Sequence, residues 1–400
     1  MKYIIVLGDG MADEPIPSLN NKTPLECADT PAMDELSSKG EIGMVHTIPE
    51  GMAPGSDTAN LSVMGYDPEV YYSGRSPLEA LSIGVAMKDD DVAIRCNVVT
   101  ISEEDAAFED RTIIDHSSDE ISTEDAAVLI EAVKKGLAME GYAFYVGTSY
   151  RHCLIWEKGK VVELTPPHDV LEQVIGQYLP KDDVLRDMMK RSHDILKDHP
   201  INIERKKQGL NPANCIWFWG AGTKPMLSDF QEKTGKKGIM ISAVDLLKGI
   251  AVGAGMDNAY VEGANGGLHT NYEGKMQAAV KAVAEDGYDF AYIHVEAPDE
   301  MGHQGSVERK IQAIEYLDEK IIAPLVKNLK EKEIDFRILI LPDHPTPVRV
   351  RTHTADDVPY LLYDSTLERE EKWSYNEQVA ADSGNFVDKG HTLIDKLFER

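Results

Sequence analysis

Apolar residues in this chain fall into short unbroken runs and longer spaced ones, and the two patterns predict different elements. Residues 1–7, 290–297 and 338–341 are rich in Ile, Val, Leu and Tyr. Runs of that length and make-up predict strands buried on both faces. Spaced patterns predict helices over 32–39, 123–139, 182–197, 225–234, 243–251, 272–285 and 308–332. Thr30-Pro31 predicts a capped helix start with Pro at the first position. Gly74-Arg75-Ser76-Pro77 opens another helix running to Ile83. From about Val92 the character changes. Short alternating runs at 92–99, 143–146, 153–156 and 161–164 predict a small, largely antiparallel sheet. Strands over 215–219 and 238–241 then resume the β–α alternation. The predicted fold class is α/β. A mainly parallel central sheet flanked by helices forms a discontinuous core (1–91 and 208–400), and an α+β cap (92–207) is inserted into it.

Composition narrows what such a fold does. Hydrophobic residues make up 42%, enough for a sizeable core. The formal net charge is −28, and no Lys/Arg block interrupts it, which argues against nucleic-acid binding. An acidic surface repels anionic substrates at long range, so a phosphate has to be captured by local Arg and metal. Cys27, Cys96, Cys153 and Cys215 form no C-x-x-C pair, which fits a reducing compartment. No apolar stretch approaches the ~18 residues that suggest a membrane span. The N-terminal run reads as a strand rather than a leader. The expectation is a soluble, cytoplasmic protein acting on a small phosphorylated metabolite, with oligomeric state open.

The three buried runs lead straight into acid and histidine. The first ends at Gly8-Asp9-Gly10. The second leads to Asp299 and His303, four apart and so on one face of a helical turn. The third leads to Asp343-His344, with His353 nine residues on. In open α/β sheets ligands sit beyond the carboxyl ends of strands, so these residues are expected at one edge. Asp, His and a nearby hydroxyl suit two divalent ions for phosphoryl chemistry. Gly55-Ser56-Asp57-Thr58 offers the hydroxyl. Ser56 precedes a predicted helix start, whose free N–H groups favour phosphate. Metal coordination would supply the activation a bare serine lacks. Cationic candidates for substrate binding are Arg151 and His152, Arg95, Arg111 and Lys275, with Arg75 nearby in sequence. The glycine-rich stretches 220–224 and 263–267 fit neither nucleotide-loop pattern and read as tight turns.

Taken together these residues resemble the alkaline-phosphatase superfamily and, within it, the archaeal-type cofactor-independent phosphoglycerate mutases. The resemblance spans the chain. It rests on Gly8-Asp9-Gly10, Pro54-Gly55-Ser56-Asp57-Thr58-Ala59, Gly65-Tyr66-Asp67-Pro68 and Gly74-Arg75-Ser76-Pro77-Leu78-Glu79-Ala80. Arg95-Cys96-Asn97, Asp299-Glu300-x-Gly302-His303, Asp343-His344 and His353 complete it. It implies two divalent ions of the Mn²⁺ class, with Zn²⁺ or Mg²⁺ as alternatives. Asp9, Ser56, Asp343 and His344 would hold one ion, and Asp299, His303 and His353 the other. It also implies a phosphoserine relay at Ser56 that interconverts 3-phosphoglycerate and 2-phosphoglycerate.

One stretch departs from that pattern. After Asp110-Arg111, archaeal mutases tend to continue with further Arg; here Thr112-Ile113-Ile114-Asp115-His116-Ser117 follows. Residues 270–275 and 345–347 resemble a bacterial branch proposed to act as a homoserine kinase. There Asp115 or Asp169 would meet the substrate amine. A related phosphohydrolase and a non-catalytic metal-binding protein are the remaining alternatives.

Overall fold

The computed structural model describes residues 1–104, 106–367 and 369–399. The chain forms two compact units: Met1–Tyr72 with Leu227–Arg400, and Ser73–Met226. The first unit is built on an eight-stranded sheet. Its strands are β1 (Lys2–Gly8), β2 (Glu41–Val45), β8 (Gly238–Ile241), β9 (Asp257–Asn258), β10 (Phe290–Val295), β11 (Phe336–Leu341), β12 (Val358–Asp364) and β13 (Phe386–Val387). They lie in the order β13-β2-β12-β11-β1-β10-β8-β9. β1 runs parallel to both β10 and β11. These three strands are buried almost throughout, because helices such as Tyr272–Ala284 and Val307–Leu317 lay apolar residues against the sheet. That is why their sequences are continuous rather than alternating. The register sets Leu7 beside His294 on one side and Leu341 on the other. All three strands therefore end level, as the apolar runs predict.

The long helix expected over 308–332 is interrupted. A π-helical turn, Asp318–Ile322, separates Val307–Leu317 from Ala323–Glu331. Pro324 lacks an N–H and cannot continue the regular ladder there. The turn has a use: the Asp318 carboxylate accepts from the backbone N–H groups of Ala32 and Met33 at 3.1 and 2.7 Å. It thereby caps helix Pro31–Ser37, a task Thr30 does not perform with its own side chain.

The second unit holds β3 (Val92–Ile101), β4 (Ile113–Asp115), β5 (Tyr142–Thr148), β6 (Arg151–Trp156) and β7 (Cys215–Thr223), joined in antiparallel pairs. Apolar residues of helices Thr123–Gly136 and Asp183–Leu196 pack with Ile94, Cys96, Val98 and Leu154. On the other face Ala93, Cys153 and Ile155 pack with Ala80, Val85 and Met87.

Three expectations are corrected here. The boundaries at 91/92 and 207/208 move to Tyr72/Ser73 and Met226/Leu227. The reason is that β7 pairs with β3 over seven residues rather than rejoining the first unit's sheet. Residues 161–164 form no strand, although Val162 and Leu164 pack on the core. Residues 220–223 are not a tight turn but the end of β7. Gly222 is glycine because an added Cβ would meet Ser73 O at 2.3 Å and Pro77 Cγ at 2.9 Å. Gly222→Ala is therefore expected to destabilise the second unit by about 1–3 kcal/mol through overpacking. Denaturant unfolding followed by the fluorescence of Trp217 and Trp219 checks this; an unchanged midpoint would refute the close approach.

Candidate active site

The level ends of β1, β10 and β11 bring their candidate ligands to one place. Asp9 follows β1, Asp343 and His344 follow β11, and β10 leads into helix Ala297–His303, which carries Asp299 and His303. Ligand atoms of Asp9, Asp343 and His344 lie within 4.8 Å of one another, as do those of Asp299, His344 and His353. His344 thus belongs to both groups. His303 joins the second: its Nε2 is 3.2 Å from Asp299 Oδ2 and 3.1 Å from His353 Nε2. Ser56 opens helix Ser56–Val63, and its Oγ lies 3.0 Å from His344 Nε2 and 3.4 Å from Asp9 Oδ2.

A turn after β1 makes this convergence possible. Gly10 has φ +60°, and a Cβ there would meet Thr346 Oγ1 at 2.5 Å and Asp299 Oδ1 at 2.6 Å. Its N–H donates to Asp343 Oδ1 at 3.1 Å. A side chain at this position would both strain the backbone and occupy the site.

A further layer of residues orients the ligands. His294 Nε2 lies 2.8 Å from Asp9 Oδ2, and its Nδ1 lies 3.1 Å from Ser242 Oγ. Asn60 donates to Ser56 O at 2.8 Å and to Asp343 Oδ2 at 2.9 Å. Its own Oδ1 accepts from Tyr292 OH at 2.6 Å. Thr346 Oγ1 donates to Asp299, and Thr47 Oγ1 donates to Asp343 O. Sequence reasoning assigned no role to Asn60. The available signal was its spacing, four residues after Ser56 and so on the same helical face.

The electrostatics call for a cation. Burial, then Asp343, Asp299 and Glu296, push the Asp9 carboxyl well above the usual carboxylate range. Its Oδ1 is buried without a hydrogen-bond partner. Burial also keeps His294 and His344 below the usual imidazole range, so neither brings charge to the site, whereas the Asp299 carboxylate raises His303 to about 9. The group of Asp9, Asp343 and His344, two buried carboxylates beside an imidazole without charge, is short of positive charge, and oxygen–nitrogen donor sets of this kind fit divalent cations.

The cationic candidates separate. Lys275 lies in the first unit, with its ammonium fully buried and donating to His294 O at 2.9 Å. It is therefore placed to support β10 rather than to meet a ligand from solvent. Arg111 lies in the second unit and donates from Nη1 to Ser102 O at 2.7 Å. His152 is also buried, and alternation along β6 sends it to the face of Leu154, away from that of Arg151. Arg95 is 7% exposed and stacks 4.0 Å over Trp219, with Nε 3.0 Å from Glu79 Oε2. Arg75 Nε reaches the other oxygen of Glu79 at 2.8 Å. His168 packs edge-on against Trp219 at 5.1 Å, and His116 lies 6.1 Å beyond it. His116 also packs on Tyr150, over whose ring the Arg151 guanidinium sits at 5.5 Å. Burial above all, with Arg75 and Arg151 as like-charged neighbours, pushes Arg95 down to about 10. Arg75, Arg95 and Arg151 thus gather cationic charge around Glu79 and the Trp219 ring in an acidic chain, with His116 and His168 packed among them; burial holds His168 below the usual imidazole range. The Asp115 carboxylate is committed elsewhere: it accepts from the backbone N–H groups of Ser117 and Asp119, from Ser117 Oγ and from Asn211. Asp169 pairs with His168 at 3.6 Å.

Comparison with known proteins adds an independent line. A family model described as 2,3-bisphosphoglycerate-independent phosphoglycerate mutase matches residues 37–202. A protein of that name from Methanosarcina barkeri is 50% identical over 368 residues, covering 91% of this chain and 90% of its own. A probable enzyme of the same name from Geobacter sulfurreducens is 45% identical across 100% of both chains. Among solved structures, a Pyrococcus horikoshii protein superposes with TM-score 0.83 at 29% identity, covering 100% of this chain and 96% of its own. The cofactor-independent phosphoglycerate mutase of Thermoplasma acidophilum gives 0.67 at 26% identity, covering 100% and 99%.

One consequence can be tested without any ligand. Burial pushes His152 down to about 4, and its Nε2 has no hydrogen-bond partner. A histidine with a depressed folded pKa contributes stability that is present above its ordinary 6.5 and lost as pH falls towards 4. Imidazole NMR titration should show His152 neutral down to about 4, and His152→Phe should remove part of the acid sensitivity between those values. A midpoint near 6.5 would show the side chain to be solvated.

Proposed function

The chain belongs to the 2,3-bisphosphoglycerate-independent phosphoglycerate mutase family, and on that premise we propose that it interconverts 3-phosphoglycerate and 2-phosphoglycerate through a phosphoserine at Ser56. The observation that carries this reading is the position of Ser56 Oγ, 3.0 Å from His344 Nε2 and 3.4 Å from Asp9 Oδ2, at the edge where both ligand groups converge. Asp9, Asp343, His344 and Ser56 would hold one divalent ion, and Asp299, His303 and His353 the other. Such ions, Mn²⁺ being the best match to mixed oxygen and imidazole donors, would neutralise phosphoryl oxygens and acidify the Ser56 hydroxyl.

The chain's own residues set the rest. Helix Ser56–Val63 presents Ser56 at its N-terminus, where free N–H groups and the helix dipole favour a transferring phosphoryl group. Asn60 holds Ser56 O and the Asp343 carboxylate together, so the nucleophile and a ligand move as one body. Within the second unit, Arg75, Arg95 and Arg151 carry forked guanidinium donors of the kind that bind carboxylate and phosphoryl oxygens. A mutase returns the phosphate to the bound glycerate, so its reaction requires that water be kept from the phosphoserine.

A ³¹P NMR time course with Mn²⁺-loaded protein tests the proposal. With 3-phosphoglycerate, a 2-phosphoglycerate signal is expected to grow. A silent spectrum, with O-phosphohomoserine forming in a parallel sample of homoserine and ATP, would overturn it in favour of the kinase. Ser56→Ala should abolish turnover while leaving the far-UV circular dichroism spectrum intact; substantial residual activity would exclude the phosphoserine route. Asp299→Ala should lower bound Mn²⁺ from two ions towards one by elemental analysis, and unchanged content would refute the ligand assignment.

A further inference from the structure

Behind the ligand edge lies an ion pair that the chemistry above does not use. Lys310, on helix Val307–Leu317, and its partner Asp13 have fully buried side chains 2.8 Å apart. The ammonium spends its three hydrogens on three acceptors: Ala12 O at 3.0 Å, Asp13 Oδ2 at 2.8 Å and Thr346 O at 2.9 Å. Ala12 and Asp13 belong to the loop that carries Asp9, whereas Thr346 belongs to the loop that carries Asp343 and His344. The same Asp13 oxygen accepts from the Val348 N–H at 3.1 Å, so the carboxylate also grips both loops. The Asp13 N–H donates to Glu377 Oε1 at 3.1 Å, and Glu377 Oε2 accepts from Thr23 Oγ1 at 2.6 Å. Thr346 extends the connection by donating through Oγ1 to Asp299. One ammonium is therefore bonded directly to two ligand loops and is one residue away from a third ligand.

Stability alone is a weak reason for such an arrangement. Burying two charges is costly, and apolar residues of similar volume often hold a fold as well or better. A tripod of fixed length does something apolar packing does not, because it sets the distance between two backbone segments. Ligand constellations need positioning to within about half an ångström, which makes that distance matter.

We infer that Lys310 is a positioning residue for the metal-binding edge: with Asp13 it fixes the spacing between the Asp9 loop and the Asp343–His344 loop. The inference rests on the metal-site reading above. It predicts that Lys310 governs metal affinity without touching metal or substrate.

The test is Mn²⁺ titration of the intact chain, followed by the EPR signal of free Mn²⁺. Lys310→Met combined with Asp13→Asn removes both charges together and leaves neither unpaired. The folded double variant, checked by circular dichroism and a cooperative melt, is expected to bind Mn²⁺ about 10–100-fold more weakly than wild type, the usual effect of losing a ligand's support. Lys310→Arg keeps the charge, but its planar fork does not converge on three acceptors, so it should weaken binding too. A folded double variant with an unchanged Mn²⁺ isotherm overturns the inference. If that variant yields no folded fraction, Lys310→Arg decides on the same criterion. If neither folds, the pair serves the fold as a whole and the inference falls. Wild-type protein that binds no Mn²⁺ would instead overturn the metal-site reading itself.

Discussion

Three carboxylates, those of Asp9, Asp299 and Asp343, are buried together at the ends of parallel strands, and the surrounding structure answers to that constraint. Like charges in a dry site repel strongly and are costly to desolvate. His303 offsets charge only at Asp299, whose carboxylate raises it to about 9, while burial keeps His344, shared by both groups, below its ordinary range. A divalent cation at each group of donors would resolve the conflict. The bare oxygen on Asp9 marks the same deficit on a single atom. The arrangement is unfavourable as packing and intelligible as a site for metal and phosphate.

Holding such a cluster in place takes more than its ligands. His294 and Ser242 fix Asp9, Asn60 and Tyr292 fix Asp343 and the serine helix, and Thr346 fixes Asp299. Behind them Lys310 and Asp13 connect two ligand loops through buried bonds. Each contact is short and directional, and together they come from several elements, with Tyr292 and His294 both on β10. The ligand edge is the product of a network rather than of the three strands alone.

The second unit solves the opposite electrostatic problem. A chain of net charge −28 repels anions unless cations are gathered locally. Arg95 sits on a strand whose ten residues are all buried, and it is tolerated because Glu79 and the Trp219 ring meet it. Strand alternation decides membership of this group: Arg151 joins the side of Cys153, while its neighbour His152 faces the helical core. The bulky aromatic and paired neighbours hold the guanidinium groups before any ligand arrives.

Much of this was legible in the linear chain. Continuous apolar runs do not tolerate water on either face, so they determined the buried parallel strands. Because each run ends in Gly-Asp-Gly, Asp-His or a leading acid, they also determined which residues meet at the edge. Four-residue spacing put Asp299 and His303 on one helical face. The tertiary structure decided what depends on partners distant in sequence. It assigned β7 to the second sheet, because hydrogen bonds to β3 outweigh the order of elements. It turned Gly222 from a turn residue into a point of close approach, and it moved the cap of helix Pro31–Ser37 from Thr30 to Asp318. It buried the Lys275 ammonium against His294 O and gave Lys310 its place between two loops. The physical reason is common to all of these. Periodicity and local spacing report which face a residue occupies, whereas a buried charge or a missing Cβ takes its meaning from the atoms that fold up against it.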